Sequence, residues 1–145
     1  MFIPILRAQI ERNRSDLAWQ YVEKNMSAYM GHVFEKICVD YLWQNIDDLP
    51  FQFQQIGRWW GNNPILKKEE EIDILAISGN NAIICECKWR NELTDVDVLQ
   101  TLERRALLLS YANQYLYVFS KSGFKQEAVV YAKNKNIKLI NFKDM

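Results

Sequence analysis

The sequence predicts an α/β protein with a mixed central sheet flanked by helices. Three observations lead there. Apolar residues recur every three or four positions in some segments and every second position in others. These segments follow in the order helix, three strands, helix, strand, helix, strand, and such a mixed order calls for a sheet with helices on its faces. The chain has 145 residues, 49% of them apolar, which suits one domain with a real core.

Residues 1–26 read as an N-terminal extension and residues 27–145 as the domain proper. The start, "MFIPILRAQIER", opens abruptly on an apolar run that Pro4 interrupts, with no basic leader before it. It is neither a secretory signal nor a membrane span, and it has the look of a linker remnant from a longer protein. Ser15 is placed to cap a short helix through Lys24. A longer helix is predicted from Ser27 to Gln44, where Met30, Val33, Phe34, Ile37, Cys38, Tyr41 and Leu42 share one stripe. Glu35 falls at the edge of that stripe, with Gly31 one turn before it on the same side.

The stretch "FQFQQIGRWWG" alternates and predicts a strand of mixed exposure, and "GNNP" predicts a turn. The charged run Lys67 to Glu71 leads into the strand "EIDILAIS". "GNN" turns the chain into the strand "AIICECKW". Thr94, with Asp97 three residues on, has the spacing of a helix-capping pair. Val98, Leu99, Leu102, Ala106 and Leu109 give that helix an apolar face. "NQYLYVFS" is a strand, "KSGFKQEAVVYAKNKN" a helix and "IKLINF" a last strand.

Eighteen basic residues balance eighteen acidic ones, which excludes a strong global attraction to nucleic acid or anionic membrane. The lysine excess after Lys121 reads as solvated surface. Three cysteines at these spacings fit neither a zinc site nor a disulfide framework. Cys38, Cys85 and Cys87 read as small core residues in a reducing compartment, hence a cytoplasmic protein with no membrane part.

Within the apolar stretch "AIICECKWRNE", Glu86 and Lys88 stand out, because a core strand rarely carries a carboxylate and an ammonium without a reason. A structural ion pair and an active site are the two readings. If Gly79 and Asn80 form a two-residue turn, residues whose numbers sum to 159 lie opposite each other, so Asp73 faces Glu86 and Glu71 faces Lys88. All four side chains then share one face. Two carboxylates so placed repel unless a proton or a cation intervenes. Magnesium or manganese would resolve the conflict, with Asp73, Glu86 and the main-chain carbonyl of Cys87 as oxygen donors. Lys88 would position or activate a water, or stabilise charge on a phosphate. Glu35 adds a further carboxylate if the long helix packs across this face. The chemistry indicated is metal-assisted hydrolysis of a phosphodiester.

The motifs "EID" (Glu71 to Asp73) and "ECK" (Glu86 to Lys88) resemble the PD-(D/E)xK nuclease superfamily, with its restriction-endonuclease-like fold. With "GHVFE" at Gly31 to Glu35 and "IGRWWG" at Ile56 to Gly61, the chain more narrowly resembles the nuclease-like domain found C-terminal to archaeal-type AAA+ ATPases. The resemblance spans roughly Ser27 to Phe142. It implies a core of helix, three antiparallel strands, helix and strand. It assigns metal ligation to Asp73 and Glu86, the catalytic lysine to Lys88, an accessory acid to Glu35 and a polar active-site position to Gln100. The superfamily's leading Pro-Asp pair is Ile72-Asp73 here. DNA and an AAA+ ATPase domain, in the same full-length protein, are the implied partners, and a homo-oligomer is compatible with them. The rival reading is a catalytically inactive DNA-binding or regulatory docking module.

His32 reads as a solvated helix histidine. Arg58, Trp59 and Trp60 are either nucleic-acid contacts or packing at a strand end or interface. Arg90 reads as an exposed strand-end residue. Arg104 and Arg105 are expected on the solvent side of their helix.

Overall fold

A computed structural model describes residues 15–145. The abrupt start at residues 1–12 lies outside these described residues. The chain divides after Val33, and the second unit runs Phe34–Met145. Of the first unit, the described residues are helical.

The elements are α1 (Ser15–Gln44), β1 (Gln55–Asn63), β2 (Lys68–Ser78), β3 (Asn81–Lys88), α2 (Val96–Ala106), β4 (Asn113–Ser120), α3 (Gln126–Lys135) and β5 (Lys138–Asn141). The two helices expected between Ser15 and Gln44 are one. Asn25 and Met26, between them, are neither proline nor glycine, so nothing strong enough to stop a helix separates the two segments.

The five strands lie in the order β1-β2-β3-β4-β5. The first three pair antiparallel, and β3, β4 and β5 pair parallel. The predicted core of helix, three antiparallel strands, helix and strand is therefore the observed one. Each sheet face carries its own core. On one, Phe34, Cys38 and Leu42 of α1 pack with Ile74, Ala76, Ile83, Cys85 and Phe119. On the other, Val98, Leu99 and Leu102 of α2 and Ala128 and Ala132 of α3 cover Ala82, Ile84 and Val118. Alternation along β3 separates the two sets, since successive side chains of a strand point to opposite faces.

Several boundaries differ from expectation: β2 begins at Lys68 and α3 at Gln126, and three further differences have visible causes. Phe51 and Phe53 precede β1 instead of opening it. Phe53 is buried, with its ring 4.5 Å from that of Trp43. Gly61, Asn62 and Asn63 of "GNNP" belong to β1, and the turn is Pro64 to Lys67, where the Asn63 side chain accepts from the backbone N–H groups of Ile65 and Leu66 at 3.0 and 3.1 Å. Thr94 does not cap α2. Asp95 does, accepting from Val96 N at 2.7 Å, because the buried Thr94 hydroxyl is committed to Ser120 at 2.8 Å.

One irregularity matters for the site. Gly57 pairs with Leu75, but Trp59 pairs with Ile72, so Arg58 alone stands against Asp73 and Ile74. This is a β-bulge, with one extra residue in β2. It resets the alternation. Ile74 joins the core under α1, while Ile72, two residues away, joins the core under α2 and α3.

Candidate active site

The β2–β3 hairpin has the register that the turn arithmetic requires: Ser78 opposes Asn81 and the ladder runs to Ile74 opposite Cys85. Gly79 makes this turn possible with φ 58°, a left-handed value that suits glycine. Beyond Ile74 and Cys85 the ladder stops, and Asp73 and Glu86 are the next residues on the two strands. The Asp73 carboxylate accepts the Cys87 backbone N–H at 2.9 Å, which ties it to β3. Glu86 is buried, with Lys88 Nζ 3.2 Å from its Oε1. Cys87 and Trp89 pack toward the α1 side, as the alternation predicts.

These residues line an open cleft of about 480 Å³. Asp73, Glu86 and Lys88 are all in its wall, together with Glu69, Glu70 and Glu71. Arg105 completes it.

The structure brings some predicted site residues together and separates others. Glu71 does not pair with Lys88. Below the bulge it meets Arg58 at 3.3 Å, and Arg58 also holds Glu35 in an ion pair. Glu35 thus reaches the cleft wall through Arg58 and Glu71 and is not itself part of that wall. Gln100 is exposed and lies beside Tyr131, not in the cleft, because its place on α2 points it toward α3. Arg58 is engaged by carboxylates on its own side of the sheet, while Trp60 is 62% exposed.

Two residues that sequence reasoning passes over are central. Arg105 is not on the solvent side of α2. Its Nη1 lies 3.2 Å from Glu86 and its Nε 3.6 Å from Glu70. Arg104 pairs with Glu70 as well. Glu70 is a buried carboxylate, also bonded by Asn63 Nδ2 at 2.8 Å. The bulge decides this placement, and a strict period of two puts Glu70 on the wrong face. The available signal is the helix itself. Arg105 lies three residues after Leu102, a core position, so its stem follows the apolar stripe.

Burial, and then the neighbouring Asp73 carboxylate, push the Glu86 carboxyl up to about 7, against the pull of Lys88 and Arg105. The Arg104 hydrogen bond holds Glu70 at about 2 despite its burial. Its hydrogen bond with Cys38, followed by burial, keeps the Cys87 sulfur a neutral thiol. A ligand at Cys87 is therefore its carbonyl and not its sulfur. Among the described residues, no three His, Cys, Asp or Glu side chains converge to hold a metal. Asp73 and Glu86 form a pair, and two carboxylates, with water, carbonyl and phosphate oxygens for the remaining positions, are a donor set that fits magnesium or manganese and not structural zinc.

Residues 1–106 match the DUF234 family, described as archaeal and bacterial proteins of unknown function. The chain belongs to the DUF234 family. The matched residues include every side chain of the cleft. A curated relative, the uncharacterised protein MJECL04 of Methanocaldococcus jannaschii, is 33% identical over 72% of this chain and 25% of its own length. The DUF234 chain thus spans about a quarter of that relative. Among solved structures, protein VC1899 from Vibrio cholerae aligns with a TM-score of 0.58 at 22% identity, over 74% of this chain and 29% of that one. A protein of unknown function, AF1548, aligns with a TM-score of 0.53 at 20% identity, over 81% of this chain and 59% of that one. Both likenesses concern the fold. No helix among the described residues of this DUF234 chain is long and apolar enough to cross a membrane.

The raised Glu86 carboxyl gives a pH prediction. A carboxyl whose pKa rises on folding stabilises the fold fully below its unfolded value of 4.5, and the contribution disappears as pH rises through about 7. In EDTA, the melting temperature of the wild type should therefore fall relative to Glu86→Gln between about pH 5 and about pH 8. Should Asp73 and Glu86 hold manganese, its affinity would rise over the same interval, with proton release on binding. Flat melting and titration profiles would contradict the assignment of Glu86.

Proposed function

We propose that this domain is a magnesium- or manganese-dependent deoxyribonuclease that hydrolyses phosphodiester bonds. The observation that carries the reading is the meeting of Asp73, Glu86 and Lys88 in one open cleft, where β2 and β3 part and the Cys87 N–H fixes Asp73. Asp73 and Glu86 would hold the cation, with the Cys87 carbonyl as a further donor. The cation, when bound, supplies Lewis acidity toward a phosphate oxygen and lowers the pKa of a bound water. Glu86 must first give up the proton that burial favours. The Lys88 ammonium, beside Glu86, orients the attacking water and stabilises charge growing on the phosphate. Arg58 neutralises Glu35 and Glu71, so that excess negative charge near the cleft does not repel DNA.

The motif resemblance supports two further parts of the reading: DNA as the polymer, and an AAA+ ATPase as partner within the full-length protein, in the cytoplasm. Purified protein is expected to cleave single-stranded, duplex or branched DNA with magnesium or manganese and not in EDTA. Absence of cleavage on all three substrates would remove the main support.

One observation favours a second reading, an inactive DNA-binding or docking module. In and beside the cleft, Glu35, Glu70, Glu71 and Glu86 each have a basic side chain within ion-pair distance, so these carboxylates can be satisfied without a metal. Manganese calorimetry separates the two: binding that Asp73→Ala removes supports the nuclease, and no binding by the wild type supports the module.

A further inference from the structure

We propose that Arg105, held in place by Glu70, receives a phosphate of the nucleic acid beside Glu86. The inference rests on the nuclease reading and adds to it a substrate contact. Among the described residues, the cleft wall holds five carboxylates and two cations, Lys88 and Arg105. A polyanion entering it needs fixed positive charge, and Lys88 is already set against Glu86 at 3.2 Å. A guanidinium has five N–H donors in a rigid plane. Arg105 directs one nitrogen to Glu86 at 3.2 Å and faces Glu70 through Nε at 3.6 Å, which leaves donors for a phosphate oxygen.

Glu70 explains the rigidity. Its side chain is only 1% exposed, and a buried carboxylate is costly unless well paired. It is paired by Arg104, Arg105 and Asn63, and Asn63 in turn closes the β1–β2 turn through Ile65 and Leu66. The bulge in β2 is what turns Glu70 toward these arginines. Glu70 is therefore a positioning residue, and Arg105 the group that touches substrate.

The test is the affinity of a fluorescent DNA duplex, measured by anisotropy with calcium as the cation and repeated over a range of salt. Arg105→Gln should weaken binding about tenfold and flatten the salt dependence by about one phosphate contact. Arg105→Lys keeps the charge but loses the fork, so it should weaken binding several-fold with the slope retained. Glu70→Gln gives a contrast of sign. Removing a negative charge should tighten DNA binding by simple electrostatics, whereas loss of positioning weakens it, and only while Arg105 is present. Equal weakening by Glu70→Gln in the wild type and in the Arg105→Gln variant would show that Glu70 acts through the fold alone and overturn its role. If Glu70→Gln does not fold, the two Arg105 substitutions carry the test. Wild-type affinity and slope in Arg105→Gln sink the inference alone. A wild type that binds none of single-stranded, duplex and branched DNA sinks the nuclease reading, and this inference with it.

Discussion

Asp73→Ala is expected to lower metal-dependent DNA cleavage by on the order of a thousandfold or more, and Lys88→Ala to do the same. The two losses have different origins, and calorimetry should separate them. On the proposed reading Asp73→Ala removes a metal ligand, so manganese binding should vanish with the activity. Lys88→Ala leaves both carboxylates, so manganese binding should persist while turnover fails. The fold should survive in both cases. Asp73 makes one hydrogen bond to the backbone of Cys87, and its removal also relieves the repulsion that raises the Glu86 carboxyl. Lys88 is 32% exposed at its side chain, and Arg105 remains to pair with Glu86 when it is removed. Cleavage at near wild-type rates by either folded variant would refute the assignment.

Phe34→Ala is expected to cost about 3–5 kcal/mol of stability. Phe34 is fully buried, with ring centroids 5.2 Å from Trp89 and 5.6 Å from Phe142. Its removal leaves a cavity where helix, β3 and the C-terminal segment meet. Denaturant unfolding measures the loss directly. A change below about 1 kcal/mol would mean that Phe34 is not a core residue. Because Glu35 follows it, the same variant should also loosen the Glu35–Arg58 ion pair and so weaken the link between helix and cleft.

Much of the candidate site is legible in the amino-acid sequence. The two-residue turn at Gly79 sets a pairing sum that holds as far as Ile74 and Cys85, which leaves Asp73 and Glu86 as the next residues on the two strands. The period of two in "ICECKW" then divides Cys85, Cys87 and Trp89 from Glu86 and Lys88. Both inferences are local: they depend on a turn and on strand geometry, and they need no knowledge of what packs above or below.

Local rules fail where they are carried past an irregularity. Extending the hairpin sum beyond Ile74 sets Glu71 against Lys88, but the strands have already parted there. Charge alone sends Arg105 to solvent, while an unbulged strand would put its partner Glu70 on the wrong face. Resemblance brings Gln100 into the site, and the rotation of α2 sends it to Tyr131. Thr94 matches a capping pattern, but the need of Ser120 for a buried partner takes its hydroxyl.

The sequence by itself determined the order and kind of the elements, the hairpin register and the nearness of Asp73, Glu86 and Lys88 in the candidate site, because apolar periodicity and turn chemistry act over a few neighbouring residues. Only the tertiary structure decided which charges complete the cleft. The bulge in β2 is set by how β1 pairs across from it, and the Glu70–Arg105–Glu86 chain joins two strands to a helix nineteen positions beyond the glutamate it serves. Such contacts depend on the packing of distant segments, and no local pattern encodes them.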